Sequence, residues 1–219
     1  MPRVARALAD EQIYHIINRG NRRDDIFHDD EDFKTMLSLL RSAKKKFEVK
    51  IYAYVLMNNH YHLVIYTKYA QSLSKCMQWI GTSYVRYYNK RYQTTGHLWE
   101  GRYKSFIVQE ENYLLMLIKY VEANPKRAKI VKDASDYAYG SAKERNSDNS
   151  LLLLDNAPIT LPDDWKSFVN SRDKKSDLEM IRNSVNRQAP LGEQEWQNRV
   201  AKEYGLEGSL KPLGRPKSE

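Results

Sequence analysis

The first two thirds of the chain alternate between apolar patterns of strand period and of helix period. Strand-like patterns cover residues 14–17, 50–57, 60–67 and 105–109, and helix-like patterns cover residues 29–47, 72–91 and 110–123. Asn58-Asn59, between the second and third strands, predicts the turn of a hairpin. Asn124-Pro125 predicts the end of the third helix, because the residue before a proline disfavours helical backbone.

This order of elements, β-α-β-β-α-β-α, predicts an α+β fold. A ferredoxin-like antiparallel sheet carries two helices on one face, and the third helix is then available to cover the other face. Strict alternation in the second strand predicts that Ile51, Ala53 and Val55 share one face of the sheet. Tyr52 and Tyr54 are then expected on the opposite face.

The character of the sequence changes after about residue 141. Residues 141–150 are polar and loop-like, and the four leucines at 151–154 are expected to form one buried segment. Short helices are predicted at residues 163–170, 175–186 and 193–204, followed by an extended basic tail at 210–219. We therefore predict a domain over 1–145, a linker over 146–157 and a mainly helical extension over 158–219.

Composition favours a nucleic-acid partner. The chain has 36 Lys+Arg against 28 Asp+Glu, a net charge of +8 and 16 tyrosines, and cations beside aromatic rings suit the phosphates and unstacked bases of single strands. The single cysteine, Cys76, excludes an internal disulfide and favours a reducing compartment. We expect a cytoplasmic protein without a membrane partner, since no apolar run approaches spanning length and the N-terminus lacks an apolar signal core.

One pair of histidines stands out. His60 and His62 are two apart on a predicted strand, so both imidazoles lie on one face, where they can ligate a divalent cation. The alternative is a chance pair that is satisfied by hydrogen bonds. Tyr120 and Asn124, four apart on the third helix, share one side of it and point at the histidines if that helix covers their face. An Asn124 carbonyl beside two imidazoles suits Mg²⁺ or Mn²⁺ better than a closed zinc site. Taken alone, Tyr120 is better explained as a core tyrosine, because the chain has 16 tyrosines.

Several basic and aromatic residues are candidates for contact with DNA. Glycine and asparagine in the turn after the first strand let the backbone approach a ligand closely, and the tail arginine resembles the centre of a minor-groove hook. The alternatives are a solvated loop for the arginines and core positions for the rings. The candidates are Arg19, Asn21, Arg22, Arg23, His97, Trp99, Arg102, Lys104 and Arg215. His15 and His28 are interpreted as structural or exposed.

Four local strings carry a family resemblance. They are YHIINRGNRRDDIF, YVLMNNHYHLVI, GHLWEGRYKSF and YVEANPKRA, and together they resemble the REP-associated tyrosine transposases, which are single-tyrosine HUH nucleases. The resemblance covers residues 11–145. It is weaker in the tail, where only DDW, GEQEW and a final GRPK are similar.

The resemblance implies a role for each matching residue. The family's metal-binding histidines fall on His60 and His62, its nucleophile on Tyr120, and the polar residue that completes the metal site on Asn124. It implies an endonuclease and strand transferase that uses Mg²⁺ or Mn²⁺ on single-stranded REP-type hairpins through a 5′-phosphotyrosine, acting as a monomer at the nucleoid. The alternatives are a hairpin-binding protein without catalysis, and a replication or conjugation initiator, which usually has additional domains.

Overall fold

Apolar and polar positions alternate in four strands, and these strands form one antiparallel sheet. The computed structural model describes residues 8–146 and 153–211. The strands are β1 (Gln12–Arg19), β2 (Val49–Met57), β3 (His60–Thr67) and β4 (Lys104–Val108), and their order in the sheet is β2-β3-β1-β4. All neighbouring strands are antiparallel, so the predicted ferredoxin-like α+β fold is confirmed.

Two long helices cover one face of the sheet, which we call the helix face. They are α1 (Asp30–Phe47) and α2 (Ala70–Tyr92). The side chain of Asp29 accepts hydrogen bonds from the backbone N–H groups of Glu31 and Asp32, which caps the start of α1. Apolar residues of both helices pack on alternate strand residues such as Ile16 and Leu63, and these form one buried core.

The alternation predicted for β2 is wrong at one point. Ile51 belongs to the core of the helix face, whereas Ala53 and Val55 belong to the core of the opposite face together with Tyr52. The cause is an irregularity in the pairing of β2 with β3 between Ile51 and Ala53. An extra residue in one strand shifts the side-chain phase, which strict alternation cannot express.

A third helix, α3 (Asn112–Glu122), crosses the opposite face, which we call the site face. Leu114, Leu117 and Ile118 are fully buried there. The third helix therefore covers this face of the sheet, as predicted. A four-residue helix, α4 (Asn124–Arg127), begins directly after it. Pro125 fits its first turn, so the Asn-Pro pair ends α3 and also starts α4.

Most of the C-terminal part packs on the same face and edge of the sheet, whereas Leu153 and Val200 join the core of the helix face. Its helices are α5 (Ser141–Arg145), α6 (Trp165–Asn170), α7 (Lys175–Arg187), α8 (Gln194–Glu203) and α9 (Glu207–Leu210). Trp165, Val169 and Ile181 are buried in the core that contains α3. The Leu191 N–H donates to the Ile107 carbonyl at 2.8 Å, which joins the extension to β4.

The three short helices predicted after residue 160 are all present, but the division into two domains stays a prediction. Leu153, from the predicted buried leucine segment, is fully buried, and residues 151–152 lie outside the described residues, as does the tail from residue 212. No helix within residues 8–146 and 153–211 is long and apolar enough to cross a membrane.

Candidate active site

The predicted histidine pair lies on the site face at the start of β3. His60 pairs with Arg19 and His62 with Ile17 in the register of β1 and β3, and the two imidazole centroids are 5.2 Å apart. Both side chains line a cavity of about 700 Å³. The other lining residues are Ile17, Asn18, Arg19, Arg23, Asn59, Glu100, Gly101, Arg102, Lys104, Val185 and Asn186.

A third histidine, His15, lies beside this pair. The sequence analysis did not predict this contact. His15 on β1 is 1 % exposed, and its Nε2 shares a hydrogen bond of 2.9 Å with Nδ1 of His62. The two rings stack at 5.1 Å, with Phe106 of β4 beside His15. His15 is therefore buried against a candidate metal ligand. Only the pairing of β1 with β3 brings the two together.

Hydrogen bonds at Nδ1 orient both candidate ligands. Nδ1 of His60 lies 2.7 Å from Oδ1 of Asn59, and because an amide oxygen only accepts, the imidazole is the donor and its Nε2 keeps a lone pair. Nδ1 of His62 is engaged by His15, so its Nε2 is likewise the nitrogen not used in this bond. Metal-ligating histidines have this arrangement, with the second ring nitrogen fixed by a neighbour.

The site also keeps these imidazoles neutral. Burial, assisted by the charge of Arg19, lowers the pKa of His60 to about 4. Burial lowers the pKa of His62 well below its usual range, with smaller effects from His15, His60 and Arg127, and burial alone lowers the pKa of His15 to about 3. Since only neutral imidazole binds a metal, the donors fit a divalent cation near neutral pH.

Although His15 lies beside His62, no group of three or more His, Cys, Asp or Glu side chains in the described parts of the chain is arranged so that it could hold a metal ion. Asn124 begins α4 and is partly buried, and its backbone carbonyl accepts from Ala128. Its assignment as a metal ligand stays a prediction.

Tyr120 lies where the sequence analysis expected it, against the histidine face. Its ring centroid is 5.9 Å from that of His62 and 6.3 Å from that of His15, and its ring is nearly perpendicular to both. It also lines a second cavity, of about 590 Å³, between α3 and α7. The guanidinium carbon of Arg127 lies 4.3 Å from the centre of the Tyr120 ring, a contact that sequence reasoning also missed.

The structure distributes the candidate DNA-binding residues unevenly. Arg19, Arg23, Arg102 and Lys104 line the histidine cavity, and Arg19 forms an ion pair of 2.6 Å with Glu100. Asn21, Arg22 and His97 are exposed, the first two in a 3₁₀ turn that follows β1, and Arg215 lies outside the described residues.

Trp99 differs from the other candidates. Its ring is 5.7 Å from Tyr61 and 5.9 Å from Tyr84, and its indole N–H donates to the Gly81 carbonyl at 3.3 Å. It therefore packs against the core of the helix face. This packing favours a structural role.

The fold and site define a class: a ferredoxin-like sheet that holds a neutral histidine pair beside a helical tyrosine, with cations around the cavity. The profile of the IS200-like transposases matches residues 9–124, more than half of the chain. The chain belongs to the IS200-like transposase family, which confirms the assignment suggested by its motifs.

One solved structure supports the fold assignment. A REP-associated tyrosine transposase bound to a REP hairpin is similar to this chain with a TM-score of 0.57 and 14% identity, over 74% of this chain and 96% of the other. A putative transposase from Deinococcus radiodurans has a TM-score of 0.39 and 16% identity, over 59% of this chain and 92% of the other, and at that score it adds nothing to the fold assignment. No curated protein matches the chain.

Proposed function

We propose that this protein is a metal-dependent endonuclease and strand transferase for single-stranded DNA, acting on REP-type hairpins. The observation that carries the proposal is the Tyr120 ring, which lies against the neutral imidazole of His62 in a chain of the IS200-like transposase family. The structural neighbour that contains a REP hairpin supports the choice of substrate.

The histidines would hold the metal through Nε2. The Nδ1 atoms of His60 and His62 are engaged in hydrogen bonds. We propose the side-chain carbonyl oxygen of Asn124 as a third donor. A mixed nitrogen and oxygen set with room for further oxygen ligands suits Mg²⁺ or Mn²⁺. When bound, the cation polarises the scissile phosphate and offsets the charge that develops there.

Tyr120 is the proposed nucleophile. Its phenolic oxygen attacks phosphorus in line and loses its proton to solvent, while the bond from phosphorus to the 3′-oxygen breaks. The 3′-oxygen takes up a proton, which leaves a free 3′-hydroxyl and a 5′-phosphotyrosine. The phosphodiester energy is retained in the new bond, so a second 3′-hydroxyl can reverse the step and join a different strand.

The cations around the histidine cavity would hold the DNA backbone. Arg19, Arg23, Arg102 and Lys104 line it, and cations of this kind position phosphates without reading sequence. We propose that Asn21, Arg22, His97 and Arg215 contact the hairpin beyond this cavity. Because Tyr120 lies against the histidines of its own chain, we propose a monomer that acts in cis at the nucleoid.

The test is formation of a covalent adduct. End-labelled single-stranded hairpins from repeats flanking the gene are incubated with the protein and Mn²⁺, Mg²⁺ or EDTA, and the products are separated on a denaturing gel. We expect a metal-dependent adduct that is lost in Tyr120→Phe and kept in Tyr113→Phe, a matched control on the same helix. Tight hairpin binding with no adduct in any metal would overturn the proposal in favour of a non-catalytic hairpin-binding protein.

A further inference from the structure

Arg127 holds Tyr120 at two points. Its guanidinium carbon lies 4.3 Å from the centre of the Tyr120 ring, and Nη2 donates a hydrogen bond to the Tyr120 carbonyl. The Arg127 side chain is only 20% exposed. The Tyr120 ring therefore contacts the guanidinium of Arg127 and the imidazole of His62, and these two contacts restrict its rotation.

The C-terminal extension in turn holds Arg127. The loop between α6 and α7 carries Asp173, whose Oδ2 lies 3.3 Å from Nη1 of Arg127 and whose Oδ1 lies 3.9 Å from Nζ of Lys119. Lys119 also donates to Ser171 of the same loop at 2.7 Å. One carboxylate thus bridges two cations, one on each side of Tyr120 in the sequence.

We propose that Arg127 is a positioning residue for Tyr120 and that the extension keeps it in place through Asp173. The inference rests on the proposed function and deepens it, because it gives the C-terminal extension a part in the cleavage site. An in-line attack needs the phenolic oxygen at a defined place, and displacement of a reacting group by about 1 Å costs about 100-fold in rate. Asp173 lies outside the residues matched by the family profile.

The variants are chosen to separate positioning from folding and from DNA binding. Arg127→Ala removes the guanidinium, and Asp173→Asn keeps the shape of the carboxylate but not its charge. Arg172→Ala in the loop between α6 and α7 and Asp177→Asn in α7 are the controls, since each makes the same change of charge close to Asp173 in the sequence. Hairpin affinity is measured without metal, and the adduct rate is measured with Mn²⁺ at saturating hairpin.

We expect Arg127→Ala to form adduct about 10- to 100-fold more slowly with hairpin affinity within about twofold of the wild type, and added guanidinium to restore part of the rate. Asp173→Asn should change in the same direction by a smaller factor, and both controls should match the wild type. An equal rate in all variants would overturn the inference, and so would a parallel loss of hairpin affinity in Arg127→Ala, because the guanidinium would then be a DNA contact.

A second readout does not depend on activity. Fluorotyrosine placed at position 120 reports the surroundings of the ring by ¹⁹F NMR in metal-free protein. We expect its resonance to move in Arg127→Ala and in Asp173→Asn but not in the controls, and an unmoved resonance in folded protein would overturn the inference. A wild type that forms no adduct would instead refute the proposed function, and the NMR result would still decide the positioning role.

Discussion

Among the residues that the structure describes, each face of the sheet has one fully buried carboxylate, Asp32 of α1 on the helix face and Glu122 of α3 on the site face. Asp32 accepts from the backbone N–H of His28 and from the side chains of Tyr87, Tyr92 and Arg91. It therefore ties the start of α1 to the end of α2. Glu122 accepts from Ser141, Arg145 and Trp165, which ties α3 to α5 and α6.

The faces differ in what they do with the rest of their polar groups. On the helix face the donors to Asp32 are the backbone N–H of His28, just before α1, and three side chains of α2, so the carboxylate is used entirely within the structure. On the site face, His60 and His62 use Nδ1 for structure and leave Nε2 beside a cavity lined by cations. The comparison shows that the polar groups of the helix face serve stability, whereas the site face leaves the Nε2 atoms of His60 and His62 available to a ligand.

Removing either buried carboxylate should have the largest effect on stability. Glu122→Ala leaves the largely buried Arg145 without its carboxylate partner. Asp32→Ala removes the shared acceptor of Tyr87, Tyr92 and the His28 N–H, although Arg91 keeps its ion pair with Asp29. We expect each change to lower the free energy of unfolding by about 3–5 kcal/mol. Urea titration measures this, and the exposed Glu31→Ala should stay within about 0.5 kcal/mol of the wild type.

The same two variants test whether the faces have separate roles. Under conditions where both are folded, Asp32→Ala should still form the DNA adduct, whereas Glu122→Ala should lose it because α3 carries Tyr120. Equal adduct formation by the two folded variants would contradict the division of labour between the faces.

The hydrogen bond between His15 and His62 should matter next. His15→Leu removes the group that orients His62, and loss of such a partner lowers metal affinity by about 10- to 100-fold. His15→Gln keeps a polar atom near the same place and should lose less. Mn²⁺ titration followed by EPR measures the affinity, and ¹⁵N NMR of metal-free protein reports the tautomer of His62.

Phe106→Leu is the control for His15, because Phe106 packs on the same ring without a hydrogen bond. It should change Mn²⁺ affinity little. If it lowers the affinity as much as His15→Leu does, packing rather than the hydrogen bond orients the site.

The helix face was the easier one to predict from sequence. The periodicity of α1 and α2 is local, and the spans predicted, 29–47 and 72–91, differ from those observed by no more than two residues at either end. On the site face, His60, His62 and Tyr120 could be predicted to lie together because two short-range spacings, strand period and helix period, place them on known sides of their elements.

The missing parts of the site depend on long-range pairing. His15 meets His62 through the register of β1 and β3, and Arg127 meets Asp173 only because the loop between α6 and α7 packs on α4. No periodic pattern encodes a contact across 46 residues. The irregular pairing at Ile51 could not be predicted for the same reason, because the partner strand determines where the side-chain alternation shifts.

Acid should weaken the site face selectively. Burial lowers the pKa of His60 to about 4 and that of His15 to about 3, so the unfolded chain, with histidine pKa values near 6.5, binds these protons first. Stability is then full above about pH 6.5 and falls as the pH drops towards 4, by at most about 1.4 kcal/mol per pH unit for each such histidine. Urea midpoints of metal-free protein at pH 7 and pH 5 measure the loss.

Two variants assign that loss to a face. His15→Gln should reduce the difference between pH 7 and pH 5, and the exposed His28→Gln should leave it unchanged. A pH dependence that is the same in both variants would place its origin elsewhere than in the buried histidines.

The smallest effects are expected at the cations of the histidine cavity. Arg102 and Lys104 line it, and replacing either with glutamine removes at most one phosphate contact. We expect weaker hairpin binding in metal-free buffer and a fall of about 0.7 to 0.9 in the slope of log affinity against log salt. Lys34→Gln makes the same charge change on α1, where Lys34 pairs with Asp30 at 3.6 Å, and it should leave the slope unchanged. If it lowers the slope equally, DNA binding follows the net charge of +8 rather than the site face, and the comparison between the faces would hold for metal and nucleophile but not for DNA.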